Sequence, residues 1–163
     1  MDPNKEIQEL LKRSYRAAVI VGVSITLMLV MYAGAVEVIK TTQKPFRGFG
    51  MLPASTLLTL RYIIYGLGVV AIIAIRFLQQ FLLKPTPMDD DKTTVSKLSR
   101  TAVTTLALSE IPAVLGLFLF VVSGLYRDFY ILLFVSLFLL FMYFPRIWSW
   151  EDWLQKHRHP PFP

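Results

Sequence analysis

Four long apolar runs constrain this chain more than any other feature of its sequence. Each run is about 20 residues or longer, which is the length that an α-helix needs to cross the hydrocarbon core of a bilayer. Because backbone groups in hydrocarbon must bond to one another, such runs fold as helices. The sequence predicts an all-α polytopic membrane protein, with four transmembrane helices in two antiparallel hairpins. The transmembrane domain is expected at 17–148, with spans at 17–39, 55–83, 98–126 and 129–148.

Composition supports this class and excludes several others. The chain of 163 residues is 55% hydrophobic, against about 45–50% for soluble domains. It has no cysteine, which rules out disulfides, thiolate catalysis and cysteine-ligated metals. The net charge of +6 fits basic flanks beside anionic headgroups. A nucleic-acid partner is not expected, because that requires a basic face on a folded soluble surface.

The two ends of the chain are predicted to lie at the membrane surface. Residues 1–16 read as an amphipathic cytoplasmic leader, because Ile7, Leu10 and Leu11 fall at helical spacing beside basic residues. The alternative for this segment is a frayed, solvated terminus. Residues 149–163 are expected to form an interfacial tail of aromatic and basic residues.

The distribution of lysine and arginine predicts the orientation. One side of the predicted spans, which includes both termini, carries Lys5, Lys12, Arg13, Arg16, Lys84, Lys92, Lys97, Arg100, Arg146, Lys156 and Arg158. The other side carries Lys40, Lys44, Arg47 and Arg127. The positive-inside rule therefore predicts that both termini are inside. In a bacterium this would be the cytoplasmic side of the inner membrane.

Six charged residues fall within the bounds of the predicted spans. Arg100 and Arg146 are counted with the inner flanks, and the other four are expected inside the membrane. Glu37 and Arg61 are matched in depth near the outer surface, and Glu110 and Arg76 are matched at an inner-to-middle depth. One interpretation is two structural ion pairs, Glu37–Arg61 and Glu110–Arg76, inside the bundle. The other is functional, because a carboxylate inside hydrocarbon marks a candidate ion-binding site. Both Glu37 and Glu110 are candidates, with the arginines as their charge partners.

The neighbours of Glu110 favour the functional interpretation for this residue. Pro112 removes a backbone hydrogen bond and frees a carbonyl near the carboxylate. Gly116 lets another helix approach closely. The positions around the site are small: Thr105, Ala107, Ser109 and Ala113. A carboxylic acid beside a loosened backbone suits reversible protonation.

This segment resembles the carboxylate helix of the proteolipid, or c, subunits of rotary ATPases. Those helices carry a mid-membrane acid, in some cases with a proline just after it, then a Gly-Leu pair and an apolar tail. The same pattern is present in this chain, as Glu110, Pro112, Gly116-Leu117 and the following Phe118–Val122. The resemblance is distant and covers one span only, although the four spans also look like the duplicated form of the family. It implies that Glu110 is the ion-binding carboxylate.

No pattern in the sequence predicts an enzyme, a cofactor or a metal centre. A nucleophile–base set, a phosphate-binding loop and a zinc motif are all missing. The acidic run Asp89–Asp91 can attract a cation, but it is better read as the charged start of a helix. His157 and His159 read as part of a solvated basic tail, with a metal site as the alternative.

Two functions remain open from the sequence. The first is a non-enzymatic, proteolipid-like membrane protein in which Glu110 binds a proton or a cation and span 3 forms an oligomer or bundle interface. The alternative is a structural or accessory subunit of a larger membrane complex, in which Glu110 only pairs with Arg76. The expected partners are the lipid bilayer and either further copies of the chain or other membrane subunits.

Overall fold

The protein is all-α, and its four helices pack together. The computed structural model describes residues 3–50, 53–82, 91–148 and 150. The helices are α1 (Pro3–Thr42), α2 (Ala54–Leu82), α3 (Asp91–Ser123) and α4 (Tyr126–Tyr143). Each is long and apolar enough to cross a membrane. The predicted fold class is confirmed, and the chain is a four-span integral membrane protein.

The first helix is longer than a membrane span. It runs unbroken for 40 residues, about 60 Å and twice the thickness of the hydrocarbon core. It therefore joins the predicted leader and the first span in one helix. The apolar side of this first part packs in a small core of its own with α3 and the segment after α4, rather than lying free for the membrane surface. That core contains Leu11, Ala18, Val95, Leu98 and Trp150.

The connection between α3 and α4 differs from the predicted one. Gly124 adopts a positive φ of 73°, and its N–H donates to the carbonyl of Phe120 at 2.7 Å. This is a left-handed cap, which ends α3 at Ser123. Arg127 and Asp128, the two residues between the predicted spans 98–126 and 129–148, therefore lie in the first turn of α4. The turn itself is Gly124 and Leu125.

The α3–α4 hairpin is the centre of the bundle, and α1 and α2 pack on different faces of it. The core beside α1 includes Leu29, Val36, Leu106, Phe120, Phe129 and Leu133. The core beside α2 consists of Ile64, Leu119 and Leu132 with their partly buried neighbours. Although α1 and α2 follow one another in sequence, the main contacts of α2 are with α3.

Two local features bring α3 and α4 close together. A Cβ atom on Gly116 would lie 3.0 Å from Cβ of Leu132 and 3.3 Å from Cα of Phe129, so a larger residue would push the two helices apart by a few tenths of an ångström. One turn earlier, the backbone N–H of Ala113 donates to Oγ of Ser136 at 2.8 Å. The buried hydroxyl of Ser136 thus supplies an acceptor next to Pro112, where the helix ladder is interrupted.

The segment after α1 covers the end of the hairpin. The N–H groups of Phe49 and Gly50 donate to the carbonyls of Val121 and Val122, both at 2.9 Å. Carbonyls in the last turn of a helix lack partners within the helix, so this segment caps α3. We call this end of the bundle the hairpin end. The end at which α1 begins and α4 finishes is the terminal end.

Candidate functional site

The site centres on a hydrogen bond between α1 and α3. The hydroxyl of Tyr32 donates to Oε1 of Glu110 at 2.9 Å, and both residues are half-buried. Within the described part of the chain, no lysine, arginine or histidine forms a salt bridge with Glu110. The carboxyl therefore has a neutral partner rather than a charged one.

The depth of Glu110 follows from the contacts of α3 with α4. Ser136 follows Tyr126, the first residue of α4, by ten residues, which is about 15 Å and half of the hydrocarbon thickness. Ala113 contacts Ser136 directly. Glu110 lies about one helical turn beyond Ala113, towards the terminal end. Its carboxyl is thus inside the hydrocarbon, slightly past the middle.

The predicted pair Glu110–Arg76 is not formed. Arg76 is exposed on α2 and lines a groove against Phe134, Phe138 and Met142 of α4. These α4 residues lie at the depth of Glu110, so the predicted match in depth agrees with the structure. The two side chains are nevertheless on different faces of the bundle, because α1 covers one face of the α3–α4 hairpin and α2 the other.

The predicted pair Glu37–Arg61 is also wrong, because Arg61 pairs with Asp128. The distance from Nη2 of Arg61 to Oδ1 of Asp128 is 2.7 Å, and the hydroxyl of Tyr65 donates to the same oxygen at 2.7 Å. Asp128 is only 2% exposed. It lies in the first turn of α4, where the helix dipole favours a negative charge. Arg61 reaches it because α2 packs on the hairpin and not on α1.

Glu37 is placed near the hairpin end, in a more exposed setting. It forms a salt bridge with Lys40 at 3.3 Å and accepts a hydrogen bond from the hydroxyl of Tyr130 at 2.9 Å. The ammonium of Lys40 also lies 5.0 Å from the ring centre of Tyr126. Glu37 is a less suitable proton-binding site than Glu110. Its ionised carboxylate is exposed and has a cation beside it, so it does not carry the cost of a charge inside hydrocarbon.

The two predicted helix-shaping residues act on the other side of α3. Pro112 is buried, and Gly116 contacts α4, whereas Glu110 faces α1. The predictions missed Tyr32, Tyr65 and Tyr130 as partners, although tyrosines within a span were a usable signal. A phenol carries a polar hydroxyl on an apolar ring, so a buried one needs a partner.

No metal centre is found in the part of the chain that the structure describes. There, no three His, Asp or Glu side chains come close enough together to hold an ion. Asp89, Asp90, His157 and His159 lie outside the described residues. Among the described groups, the Glu110–Tyr32 pair is the one with a carboxyl inside the hydrocarbon and no opposite charge.

Comparisons of the chain with protein-family models, with curated proteins and with solved structures found no match. The class of the protein therefore follows from its own architecture. Four packed helices of membrane-spanning length make it an integral membrane protein in contact with the lipid bilayer.

Proposed function

We propose that the protein is a non-enzymatic, proteolipid-like membrane protein in which Glu110 binds a proton or a cation within the bilayer. The observation that carries this proposal is the neutral environment of the carboxyl: Tyr32 donates to it, and no cation from the described residues accompanies it. An ionised carboxylate at this depth is costly. Taking up a proton removes that cost, since buried groups without a partner charge tend to neutralise.

The partner of Glu110 suits a group that gains and loses a proton. The hydroxyl of a tyrosine is both a donor and an acceptor. Tyr32 can therefore donate to the ionised carboxylate and accept from the protonated acid. The contact between α1 and α3 persists in both states, so that protonation does not require the bundle to open.

The resemblance to rotary ATPase proteolipids supports the same residue. In that pattern the mid-membrane acid binds the ion, and Glu110 occupies its position relative to Pro112 and Gly116. The exposed apolar residues on the membrane side of α3, among them Val114 and Phe118, would then meet either lipid or a neighbouring copy.

Reaction with a hydrophobic carbodiimide tests the proposal, since this reagent modifies protonated carboxyls in a membrane. We expect reconstituted protein to be labelled at Glu110 at mildly acidic pH, with labelling lost as the pH rises through neutrality. Glu110→Gln should abolish the label, and Glu37→Gln, the matched change at an exposed carboxyl, should leave it unchanged. The absence of any label on Glu110 at mildly acidic pH would contradict the proposal.

The orientation proposed with this function places both termini inside. It is supported by the excess of lysine and arginine on the terminal side of the spans. Single cysteines at Thr42 and Arg146, in a chain that has none of its own, test it. An impermeant thiol reagent applied to intact cells should label Thr42→Cys and spare Arg146→Cys; the reverse result would invert the orientation.

A second candidate is a subunit that assembles through its membrane charges. Glu110 and Arg76 share a depth, lie on different faces of the bundle, and each lacks an opposite charge among the described residues. A neighbouring subunit can supply the missing charge to each. In this case Glu110 forms a fixed ion pair with a neighbouring subunit and does not exchange protons. The carbodiimide label would then be missing from the assembled protein.

A further inference from the structure

A cavity of about 310 Å³ lies between α2, α3 and α4 near the terminal end. Its polar lining comes from Gln79, Thr101, Thr105, Tyr143 and Arg146. Tyr143 is the last residue of α4, which has 18 residues and is about 27 Å long. Since α4 nearly equals the hydrocarbon in length, the cavity lies at the boundary between the hydrocarbon and the lipid headgroups.

Two residues that line this cavity, Thr105 and Tyr143, each carry a buried hydroxyl that lacks a hydrogen-bond partner among the described residues. Neighbouring threonines on α3 behave differently. Thr101 donates to the carbonyl of Lys97 at 2.7 Å, and Thr104 donates to that of Arg100 at 2.8 Å. Thr105 is only 1% exposed yet makes no such bond to its own helix. Buried polar atoms are almost always paired, so these two hydroxyls indicate a partner from outside the described residues.

The lining selects the chemistry of the ligand. Arg146 is exposed, and no carboxylate in the described part of the chain pairs with it. Together with two free hydroxyl donors it favours an anion with several acceptor oxygens. Among the described residues, no acidic side chain lines the cavity, and the remaining wall is largely apolar, with Leu98, Met142 and Trp150.

We propose that this cavity binds the phosphate group of an anionic membrane lipid. In this complex the hydroxyls of Thr105 and Tyr143 turn into the cavity and donate hydrogen bonds to phosphate oxygens, and Arg146 supplies the positive charge at the rim. The apolar wall contacts the glycerol and the first part of the acyl chains. This site is separate from Glu110 and does not depend on the role proposed for that residue.

Binding is measured on delipidated protein in a neutral detergent, by native mass spectrometry and by thermal unfolding. The probes are phosphatidylglycerol, phosphatidylcholine and inorganic phosphate. We expect phosphatidylglycerol to bind and to raise the unfolding temperature, and the other two to have little effect. Thr105→Val, Tyr143→Phe and Arg146→Gln should each weaken phosphatidylglycerol binding about tenfold, as expected for one hydrogen bond to a charged group. Thr104→Val, the same change at the adjacent residue, should not.

Stability without lipid separates a binding role from a structural one. Removing an unpaired buried hydroxyl should leave the lipid-free protein as stable as before or more stable, whereas a structural role predicts a loss. The proposal is overturned if phosphatidylcholine or inorganic phosphate binds as well as phosphatidylglycerol, or if Thr105→Val and Tyr143→Phe keep the original affinity. If either variant fails to fold, Arg146→Gln decides the question, because its side chain is exposed.

Discussion

Tyrosines are the common partners of the carboxylates in this bundle. Tyr32 donates to Glu110 and Tyr65 donates to Asp128. At the hairpin end, Tyr130 donates to Glu37 in the same way. Each bond joins two different helices. A phenol is uncharged, so it can enter a span at a smaller cost than lysine or arginine, and it still gives the carboxylate a donor.

The charged cluster at the hairpin end should contribute to stability. Asp128→Asn removes the charge that faces Arg61 and weakens the bond from Tyr65. We expect the free energy of unfolding to fall by about 2 kcal/mol, below the usual loss for a fully buried pair, because Arg61 can turn to water. Unfolding of the reconstituted protein in a denaturing detergent measures this change.

The matched control is Glu37→Gln, because Glu37 also pairs with a tyrosine and a cation but is exposed. Its effect on stability should be clearly smaller than that of Asp128→Asn. Equal effects of the two substitutions would show that the burial of Asp128 does not matter, which would contradict the importance given to this cluster.

The sequence predicts the depth of each charged residue in the membrane but not the residue that it contacts. Depth follows from counting residues along a span, and it placed Glu110 and Arg76 at a common level. The choice of partner depends on which helices pack together and on the rotation of each about its axis. Asp128 was missed for a related reason: it was assigned to a connection, whereas the turn at Gly124 puts it in the first turn of α4.

The end of α3 is held by a compact set of backbone contacts. Gly124 closes the helix, and Phe49 and Gly50 bond the next two carbonyls. Gly48 also has a positive φ and packs against the backbone of Val122. The segment after α1 is therefore tied to the α3–α4 turn, and it links the first helix to the central hairpin.

Gly124→Ala should weaken this junction. The left-handed backbone costs a residue with a Cβ about 1–2 kcal/mol, and the new atom would lie 2.7 Å from the carbonyl oxygen of Phe46. We expect a loss of at least about 1 kcal/mol in unfolding free energy. Gly34→Ala is the control, because a Cβ there meets nothing within 4 Å and alanine favours the helix. A Gly124→Ala variant as stable as Gly34→Ala would contradict this description of the cap.

The helices themselves were predictable because apolar length is sufficient to identify a span. The ends of the helices were less predictable. The left-handed turn at Gly124 shortens α3, and the sequence before Pro145 ends α4 at Tyr143, since a residue before proline disfavours the helix. The continuous α1 was not expected either, because its first part is stabilised by contacts with Val95 and Leu98 of α3, which are distant in the sequence.

The complete bundle presents opposite charges on two different faces at one depth. Neither charge is paired with another described residue of the same copy, and a head-to-tail contact between copies would bring Glu110 of one beside Arg76 of the next. Large apolar residues exposed on α1 and α2, such as Met31 and Phe77, are compatible with either lipid or a neighbouring copy there. Assembly through these charges requires that Glu110 stays ionised, whereas proton binding requires that it takes up a proton.

Cysteine cross-linking tests assembly directly, because the chain has no cysteine of its own. If copies associate through these charges, oxidation of the double variant Val114→Cys, Ile73→Cys in membranes should give dimers and larger species, because it keeps both charges and places an exposed thiol one helical turn from each. The control Val38→Cys, Ile73→Cys also keeps both charges but places the two thiols at different depths, and it should stay monomeric. A double variant that remains monomeric, like the control, would exclude the charge-paired assembly.

We propose that the carboxyl of Glu110 holds a proton within the bilayer. Infrared difference spectra of the reconstituted protein, recorded across pH for the natural chain and for Glu110→Gln, test it most directly. We predict a carbonyl-stretch band of a protonated carboxyl that is present in the natural chain at mildly acidic pH, absent from Glu110→Gln, and shifted by Tyr32→Phe. Identical spectra for the natural chain and Glu110→Gln in this region would contradict the claim.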